Sequence, residues 1–425
     1  MKEVSAEYRS ARLVDDCFKG YKKTEVGVIP DDWMVLQIQN FAKVGSGTTP
    51  SRAQDDSYYK NGDTYWVKTT DLNNSIIRET EEKVTDLALK ETSLNVYPEE
   101  TVLVAMYGGF NQIGRTGILS IPAAVNQALV AVQVNKKFDS RYLLNTLNYK
   151  IEYWRSVASS SRKDPNITSL DVKEFKLAMP PTKKEQTAIA NALSDVDTLI
   201  TSLERLITKK RAIKTATMQQ LLTGKKRLPP FDKTHAGYKQ TKFGEIPEDW
   251  EVDSIGNVLS ITTGDKNTQD KVDDGQYPFY VRSQIVERIN SYSYDGEAVL
   301  TAGDGVGTGK IYHYINGKFD YHQRVYLMHN FSDRLDGYYF YIFFSDNFHD
   351  RIMSMTAKSS VDSVRREMIA DMKIVLPSID EQIAMARVLS DMDSEIDTLE
   401  KRLSKTQQLK QGMMQELLTG KTRLI

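Results

Sequence analysis

Two long segments of the chain carry hydrophobic residues at alternating intervals of four and three. They run from near Lys183 to Leu222 and over residues 380–418. This a/d spacing predicts two amphipathic helices, each of about 40 residues and roughly 60 Å, with the narrow seam typical of left-handed helix packing. The predicted seam residues are Ile189, Leu193, Val196, Ile200, Leu203 and Ile207, and then Met385, Leu389, Met392, Ile396, Leu399 and Leu403.

Prolines and glycines mark the ends of both helices. Pro180-Pro181 and Pro377 precede them, and Gly224 and Gly420 follow as C-cap residues. Each helix could pack alone on its own domain. The similarity of the seams instead favours antiparallel pairing of the helices, with Ile189 near the C-terminal part of the second helix, as a spacer of fixed length.

Each long helix follows a segment of mixed character. Short apolar runs predict strands at residues 65–67, 102–104, 128–132, 277–281, 298–300 and 324–327. Helices are predicted at 142–153 and 338–351, late in each segment. The pattern therefore predicts a mixed α/β fold, in which two pseudo-repeated α/β domains are joined by two long helices that form an antiparallel coiled coil.

The chain repeats one frame around two different inserts. Gly-Tyr-Lys-x-Thr followed by Gly-x-Ile-Pro-x-Asp-Trp ends at Trp33 and again at Trp250, whereas Leu-Leu-Thr-Gly-Lys begins at Leu221 and Leu417. The first pair lies 217 residues apart and the second 196, so about 21 residues between positions 39 and 100 lack a counterpart. The predicted domains are 1–180, a first α/β domain; 181–228, a first spacer helix; 229–376, a linker with a second α/β domain; and 377–425, a second spacer helix.

Composition limits the class of protein. No apolar run is long enough to span a membrane, and Met1–Ser5 leads into charged sequence rather than a signal peptide. Cys17 is the one cysteine, so neither a disulfide framework nor a cysteine-based zinc site is expected. A cytoplasmic location is the expectation.

Net charge does not favour a protein that binds nucleic acid through bulk positive charge. The chain carries a formal charge of −1; residues 39–180 hold 17 Lys and Arg against 16 Asp and Glu, and residues 256–376 hold 13 against 16. DNA binding would therefore need cations clustered on one face, or phosphate contacts from a partner protein.

Several catalytic motifs nearly occur and fail. Leu228-Pro229-Pro230-Phe231 resembles the Asn/Asp-Pro-Pro-aromatic motif of amino-methyltransferases, but Leu228 has no oxygen to hold the target amine. The segment Asp304–Ile311 departs from the phosphate-loop pattern at both ends, and the histidines lack zinc-protease spacing. We therefore predict no catalytic residue, no metal site and no cofactor of its own.

The doubled order of these motifs resembles the DNA-specificity (S) subunit of type I restriction-modification systems, over nearly the whole chain. Residues 47–52 and 66–72 are similar to the start of many recognition domains of that family. The second insert departs there, and its residues 316–319 and 322–325 fit another recurring pattern. The two inserts are therefore expected to read different sequences.

The resemblance implies a non-catalytic subunit that reads a two-part site in double-stranded DNA, one half per insert. Partner methyltransferase subunits would bind S-adenosylmethionine and methylate adenine. Partner motor-nuclease subunits would use ATP and magnesium, and the helices would serve as ruler and docking surface. A fused enzyme fragment and a coiled-coil scaffold without a DNA role are the alternatives, which methylation and gel-shift assays would separate.

Polar loops between the predicted strands carry the side chains that read base edges and phosphates. Any single loop could equally be ordinary polar surface. The predicted DNA-binding residues of the first insert are Thr48, Ser51, Arg52, Lys68, Thr69, Tyr107, Asn111, Arg115, Gln127 and Lys163. Those of the second insert are Lys266, Arg282, Ser283, Gln284, Lys310, Gln323, Arg324 and Lys358. The target sequence and the spacer length do not follow from these residues.

Overall fold

The computed structural model describes residues 19–108, 111–159, 166–233, 237–355 and 363–424; Cys17, Lys163 and Lys358 lie outside these ranges. The chain divides into two compact units, Met1–Glu204 with Arg402–Ile425, and Arg205–Lys401. Each unit thus contains one half of each long helix. The predicted four-segment division separates globular parts from helices instead, because it follows sequence pattern rather than compactness.

The first unit is a mixed α/β domain. Its strands are β1 (Tyr21–Thr24), β2 (Gly27–Pro30), β3 (Met34–Gln37), β4 (Ala42–Ser46), β5 (Thr64–Val67), β6 (Ser75–Ile77), β7 (Glu82–Val84), β8 (Val96–Tyr97), β9 (Val102–Ala105), β10 (Thr116–Leu119), β11 (Ala123–Val125), β12 (Leu129–Val134) and β13 (Lys176–Met179). Its helices are α1 (Asp55–Tyr58), α2 (Asp86–Glu91), α3 (Ser140–Tyr149), α4 (Ile151–Ser159), α5 (Ser169–Glu174) and the first half of α6 (Lys183–Leu222).

Two sheets form the centre of the first unit. One has the strand order β4-β12-β9-β10-β6 and the other β7-β5-β11-β8. Strands β9 and β12 are apolar on both faces because α3 covers one face and the second sheet packs near the other. The predicted strands here are confirmed, whereas the predicted helix 142–153 is two helices, since α3 ends at Tyr149.

The second unit repeats this plan with fewer elements. Its strands are β14 (Tyr238–Thr241), β15 (Gly244–Pro247), β16 (Glu251–Ser254), β17 (Ser260–Thr263), β18 (Tyr277–Tyr280), β19 (Glu287–Ile289), β20 (Tyr294–Ala302), β21 (Tyr312–Tyr321), β22 (Val325–His329) and β23 (Lys373–Leu376). Its helices are α7 (Ile255–Val258), α8 (Gly337–Ser354), α9 (Arg366–Ala370), the first part of α10 (Ile379–Leu417) and the second half of α6.

One sheet of order β17-β22-β20-β21-β18-β19 replaces the two sheets of the first unit. The region in which the two repeats differ in length, between positions 39 and 100, contains α1, β7 and α2 of the first unit. The extra residues of the first insert therefore contribute to its second sheet, in which β7 pairs with β5, and bring additional charges to the first unit.

The two long helices run antiparallel within each unit, as predicted. Asp197 and Lys410 form an ion pair of 2.5 Å in the first unit, and Lys214 pairs with Asp393 in the second. Ile189 and Leu193 join the same core cluster as Met414, Leu417 and Leu418.

The predicted seams are offset from each other rather than paired residue by residue. Met385 and Leu389 pack with Leu221 and Leu222 in the core of the second unit. The start of each seam contacts the globular part of its own unit and the end of the other helix. Both of these surfaces pack against the same apolar side chains of the seam. All twelve predicted seam residues are buried or half-buried.

A repeated arginine clamp explains the repeated motifs. Arg227 donates to Glu381 at 2.8 and 2.6 Å and to Asp249 at 3.1 and 2.8 Å, and Trp250 Nε1 also donates to Glu381 at 3.1 Å. Each clamp therefore ties the end of one long helix to the start of the other and to the Ile-Pro-x-Asp-Trp frame.

The first unit carries the matching clamp. Arg423 donates to Glu185 and, at 2.9 and 3.0 Å, to Asp32. Gly420 has a φ of +73°, and a Cβ there would lie 2.5 Å from Pro30, so only glycine fits between the helix end and the frame.

The repeated Glu-Gln pair has a second role through its glutamine. The amide oxygen of Gln186 accepts from the backbone N–H of Asp139, the N-cap of α3, at 3.0 Å. Gln382 accepts in the same way from Asp336, the N-cap of α8. Each long helix is thereby fixed to the helix that covers its own sheet.

Candidate nucleic-acid interface

The loops of the first unit meet where the parallel strands β5 and β11 end. Thr48 N–H donates to the Val125 carbonyl at 2.9 Å, and Trp66 Nε1 donates to the Thr48 carbonyl at 3.2 Å. A Cβ on Gly47 would lie 2.0 Å from the Val125 oxygen, so this close approach needs glycine. We call residues 47–52, 66–71, 81–82, 107–108, 111–115 and 126–127 the first loop face.

Arg52 and Lys68 lie side by side on the first loop face because both bind Glu82. The Glu82 carboxylate accepts from Arg52 at 2.5 Å and from Lys68 at 2.7 Å. Arg52 also pairs with Asp55 at 3.1 Å, and its guanidinium lies 4.0 Å from the Tyr59 ring centroid. Burial by itself would raise the pKa of Glu82, but the hydrogen bonds from its two cationic partners outweigh burial and lower that pKa.

The other predicted residues of the first insert that the structure describes lie around this cluster. The hydroxyl of Thr49 donates to Gln127, and Met106 N–H donates to the Ala128 carbonyl at 2.8 Å. This second bond brings the β9–β10 connection beside Gln127. That connection carries Tyr107, Asn111 and Arg115; Ser51 and Thr69 are backbone neighbours of Arg52 and Lys68.

The second unit gathers its predicted residues at the ends of β18 and β21. Gln323 N–H donates to the Lys266 carbonyl at 2.8 Å, and Gln323 Nε2 donates to Asn267 at 2.5 Å. Ser283 accepts at its carbonyl from the ring of His313 at 3.0 Å. We call residues 264–267, 282–286, 303–310 and 322–324 the second loop face, which also contains Gln284 and Lys310.

Arg282 and Arg324 meet at Asp304. Arg282 Nη1 lies 2.8 Å from Asp304 Oδ1, and Arg324 Nε lies 3.7 Å from Oδ2. The buried His322 beside them accepts the Arg324 N–H at Nδ1, at 2.9 Å. Burial and then the charge of Arg282 lower the pKa of His322, so the ring is neutral and able to accept at neutral pH.

The sequence missed the carboxylates and rings that hold the predicted cations. Glu82 and Tyr59 lie between positions 39 and 100, where the two repeats differ in length and sequence, so the repeat gives no signal for them. Asp304 lies in the segment that departs from the phosphate-loop pattern, and the sequence does not indicate that it pairs with two arginines. Residue type and loop position predict the cationic residues. Their partners cannot be predicted in this way, because they depend on contacts between segments far apart in sequence.

The described part of the chain contains no cluster of three or more His, Cys, Asp or Glu residues placed to hold a metal ion. No helix among these residues is long and apolar enough to cross a membrane. Contact of either loop face with DNA remains a prediction at the level of individual residues.

Known proteins resemble this chain in both sequence and fold. The family model for the type I restriction modification DNA specificity domain matches residues 30–214 and 247–411. The chain is 28% identical over 429 residues to the type I restriction enzyme MjaVIII specificity subunit of Methanocaldococcus jannaschii, covering 93% of this chain and 94% of that protein. It is 30% identical over 179 residues to the EcoDI specificity subunit of Escherichia coli, covering 41% and 38%.

The fold matches a crystal structure of a type I restriction-modification S subunit from M. genitalium. The TM-score is 0.65 at 15% identity, over 91% of this chain and 96% of that one. The two family matches coincide with the two repeated frames. The chain therefore belongs to the family of type I restriction-modification specificity subunits, which are non-catalytic and recognise DNA sequence.

Proposed function

We propose that this chain reads a bipartite site in double-stranded DNA, with each loop face reading one half-site. The observation that carries the proposal is that each unit brings its polar loop residues to one end of its own sheet system. The two faces differ in the loops and the charges that form them. Two different faces on one repeated frame suit a target made of two different half-sites.

The chemistry belongs to partner subunits in this proposal. Methyltransferase subunits bind S-adenosylmethionine and methylate adenine, and motor-nuclease subunits use ATP and magnesium. The chain carries almost no net charge, and five predicted cations already pair with carboxylates. Partner subunits would therefore supply many of the phosphate contacts that give affinity, within the cytoplasm where such complexes meet DNA.

The long helices serve as the ruler and as the docking surface for these partners. The helices are continuous over 40 and 39 residues, which at about 1.5 Å per residue gives each a length of roughly 60 Å. Outside the seam, the first long helix exposes Leu199, Leu206 and Ile213 at seven-residue intervals on one side, and the second exposes Leu409; such a line of apolar side chains suits contact with a partner.

Methylation mapping tests the proposal. The chain is expressed with the partner subunits of its own system, and the methylated adenines in the host DNA are located. A two-part motif with an unspecified spacer is expected. The purified chain alone should transfer no methyl group to DNA, and binding of a duplex that contains the motif should tighten when methyltransferase subunits are added. A single continuous motif, or methyl transfer by the chain alone, would contradict the proposal.

A further inference from the structure

Two half-exposed arginines on the second loop face share one carboxylate. The side chains of Arg282 and Arg324 are 44% and 64% exposed, whereas that of Asp304 is 24% exposed. Asp304 uses one oxygen for each arginine. The three side chains therefore carry a net positive charge, and the two arginines are more exposed to solvent than the carboxylate that they share.

The backbone around Asp304 is fixed on two sides, so this arrangement does not depend on side chains alone. Gly303 N–H donates to the Arg324 carbonyl at 2.8 Å, and Val364 N–H donates to the Gly303 carbonyl at 2.7 Å. His322 N–H donates to the Tyr280 carbonyl at 2.9 Å, which ties the Arg324 turn to the strand that precedes Arg282.

A guanidinium carries five N–H donors; Arg282 uses one terminal nitrogen for its hydrogen bond to Asp304, and Arg324 approaches the same carboxylate through Nε in a longer ion pair of 3.7 Å. Enough donors remain for a planar fork. A fork held at a fixed orientation binds the O6 and N7 acceptors of guanine in the major groove, which is the commonest specific contact between arginine and a base. A freely rotating arginine binds phosphates equally well and so discriminates poorly between bases.

The first loop face provides a contrast. Arg52 has both terminal nitrogens in ion pairs, with Asp55 and Glu82, and the Lys68 side chain is only 18% exposed between Glu81 and Glu82. That cluster has three carboxylates for two cations, whereas the cluster at Asp304 has one carboxylate for two arginines. The second loop face is therefore the one on which the arginines keep N–H groups and positive charge available for binding a base edge.

Resting on the proposed function, we infer that Asp304 is a positioning residue for specificity, which orients Arg282 and Arg324 to read guanine in one half-site. Asp304 itself need not touch DNA. Its loss is expected to separate two quantities that a purely structural defect would lower together, namely affinity for the cognate site and affinity for unrelated duplex.

The test uses the full chain assembled with its methyltransferase subunits. The wild-type complex and D304N select sites from a library of randomised duplexes, and affinities for the selected site and for an unrelated duplex are measured by fluorescence anisotropy. In D304N, discrimination against replacement of a guanine in one half-site should fall about ten-fold, within the range of a lost bidentate contact. Affinity for unrelated duplex should hold or rise, because one negative charge is gone.

D295N is the matched control. Asp295 is exposed and lies at the opposite end of β20, so the variant makes the same change of charge away from the loop face. Its selected motif should be the wild-type motif. If D304N does not fold, R282K tests the inference instead, because lysine keeps the positive charge but lacks the planar guanidinium that can bind a base edge through two N–H groups. R282K should lose discrimination at the same half-site and retain binding of unrelated duplex.

Replacement of guanines in the selected site by 7-deazaguanine gives a second readout, because it removes only the N7 acceptor. The wild-type complex should bind less tightly when one particular guanine is replaced, and D304N should be much less sensitive to that change. An unchanged motif with unchanged discrimination in D304N and R282K, or a motif without guanine, would overturn the inference and leave the proposed function standing. Selection of no motif by the wild-type complex would instead refute the proposed function.

Discussion

The arginine clamp of the second unit gives the sharpest prediction about stability. Replacing Arg227 by methionine keeps an unbranched apolar stem and removes the guanidinium with its charge. The Glu381 side chain is fully buried and loses its cationic partner, keeping only the N–H of Trp250. The other acceptor, Asp249, is 40% exposed and can be solvated by water.

The loss of stability in each variant depends on how deeply the acceptor carboxylate is buried. Removing one partner of a buried ion pair costs about 3–5 kcal/mol, because the remaining charge is left uncompensated. Loss of an exposed pair costs about 0–1 kcal/mol. We therefore expect R227M to lower the free energy of unfolding by about 3–5 kcal/mol, and D249N to lower it by less than about 1 kcal/mol.

Calorimetry with a double-mutant cycle measures this difference. For a unit of about 200 residues, each kcal/mol shifts the melting temperature by roughly 2–4 °C, so R227M should melt at least about 6 °C lower. Adding E381Q to R227M removes the uncompensated charge and should recover most of the loss. Equal melting of R227M and D249N, or a double variant no more stable than R227M, would refute the reasoning.

Three further variants test other parts of the account. G47A should shift the first loop face and weaken cognate DNA binding at least about ten-fold, because its Cβ would meet backbone oxygens, whereas G412A, on an open helix surface, should leave binding unchanged and stabilise the fold by about 0.5–1 kcal/mol. Hydrogen bonding from Arg423 lowers the pKa of Asp32, so this carboxylate stabilises the folded state above its unfolded pKa of about 3.9, and the destabilisation of D32N in urea titrations at neutral pH should disappear in acid. Four residues inserted after Glu204 add about 6 Å and slightly more than one turn, so methylation mapping should find a spacer one or two base pairs longer, and an unchanged spacer would show that the helices do not set it.

The sequence predicted the elements that depend on local periodicity. Both long helices begin and end within a residue or two of the predicted positions, because their caps and their seams are local signals. Antiparallel pairing also followed, since each helix leaves the end of its own insert. The offset between the seams did not follow, because the core of each unit competes for the same residues.

The loop faces could be predicted only in part. Residue type and position between strands identified Arg52, Lys68, Arg282 and Arg324. Their pairing on shared carboxylates depends on contacts that no periodic pattern encodes. The clamp formed by Arg423 was missed for a similar reason: the sequence shows the repeated motifs, but not that the end of one helix closes on the frame of the first unit.

Exchange of one insert is the most direct test of a chain that reads two half-sites with two independent faces. Residues 39–180 are replaced by the corresponding insert of another member of the family, and methylated adenines are mapped with the original partner subunits. The account predicts that one half-site changes while the other half-site and the spacer stay the same. A change in both half-sites, or in neither, from a folded and assembled chimera would contradict it.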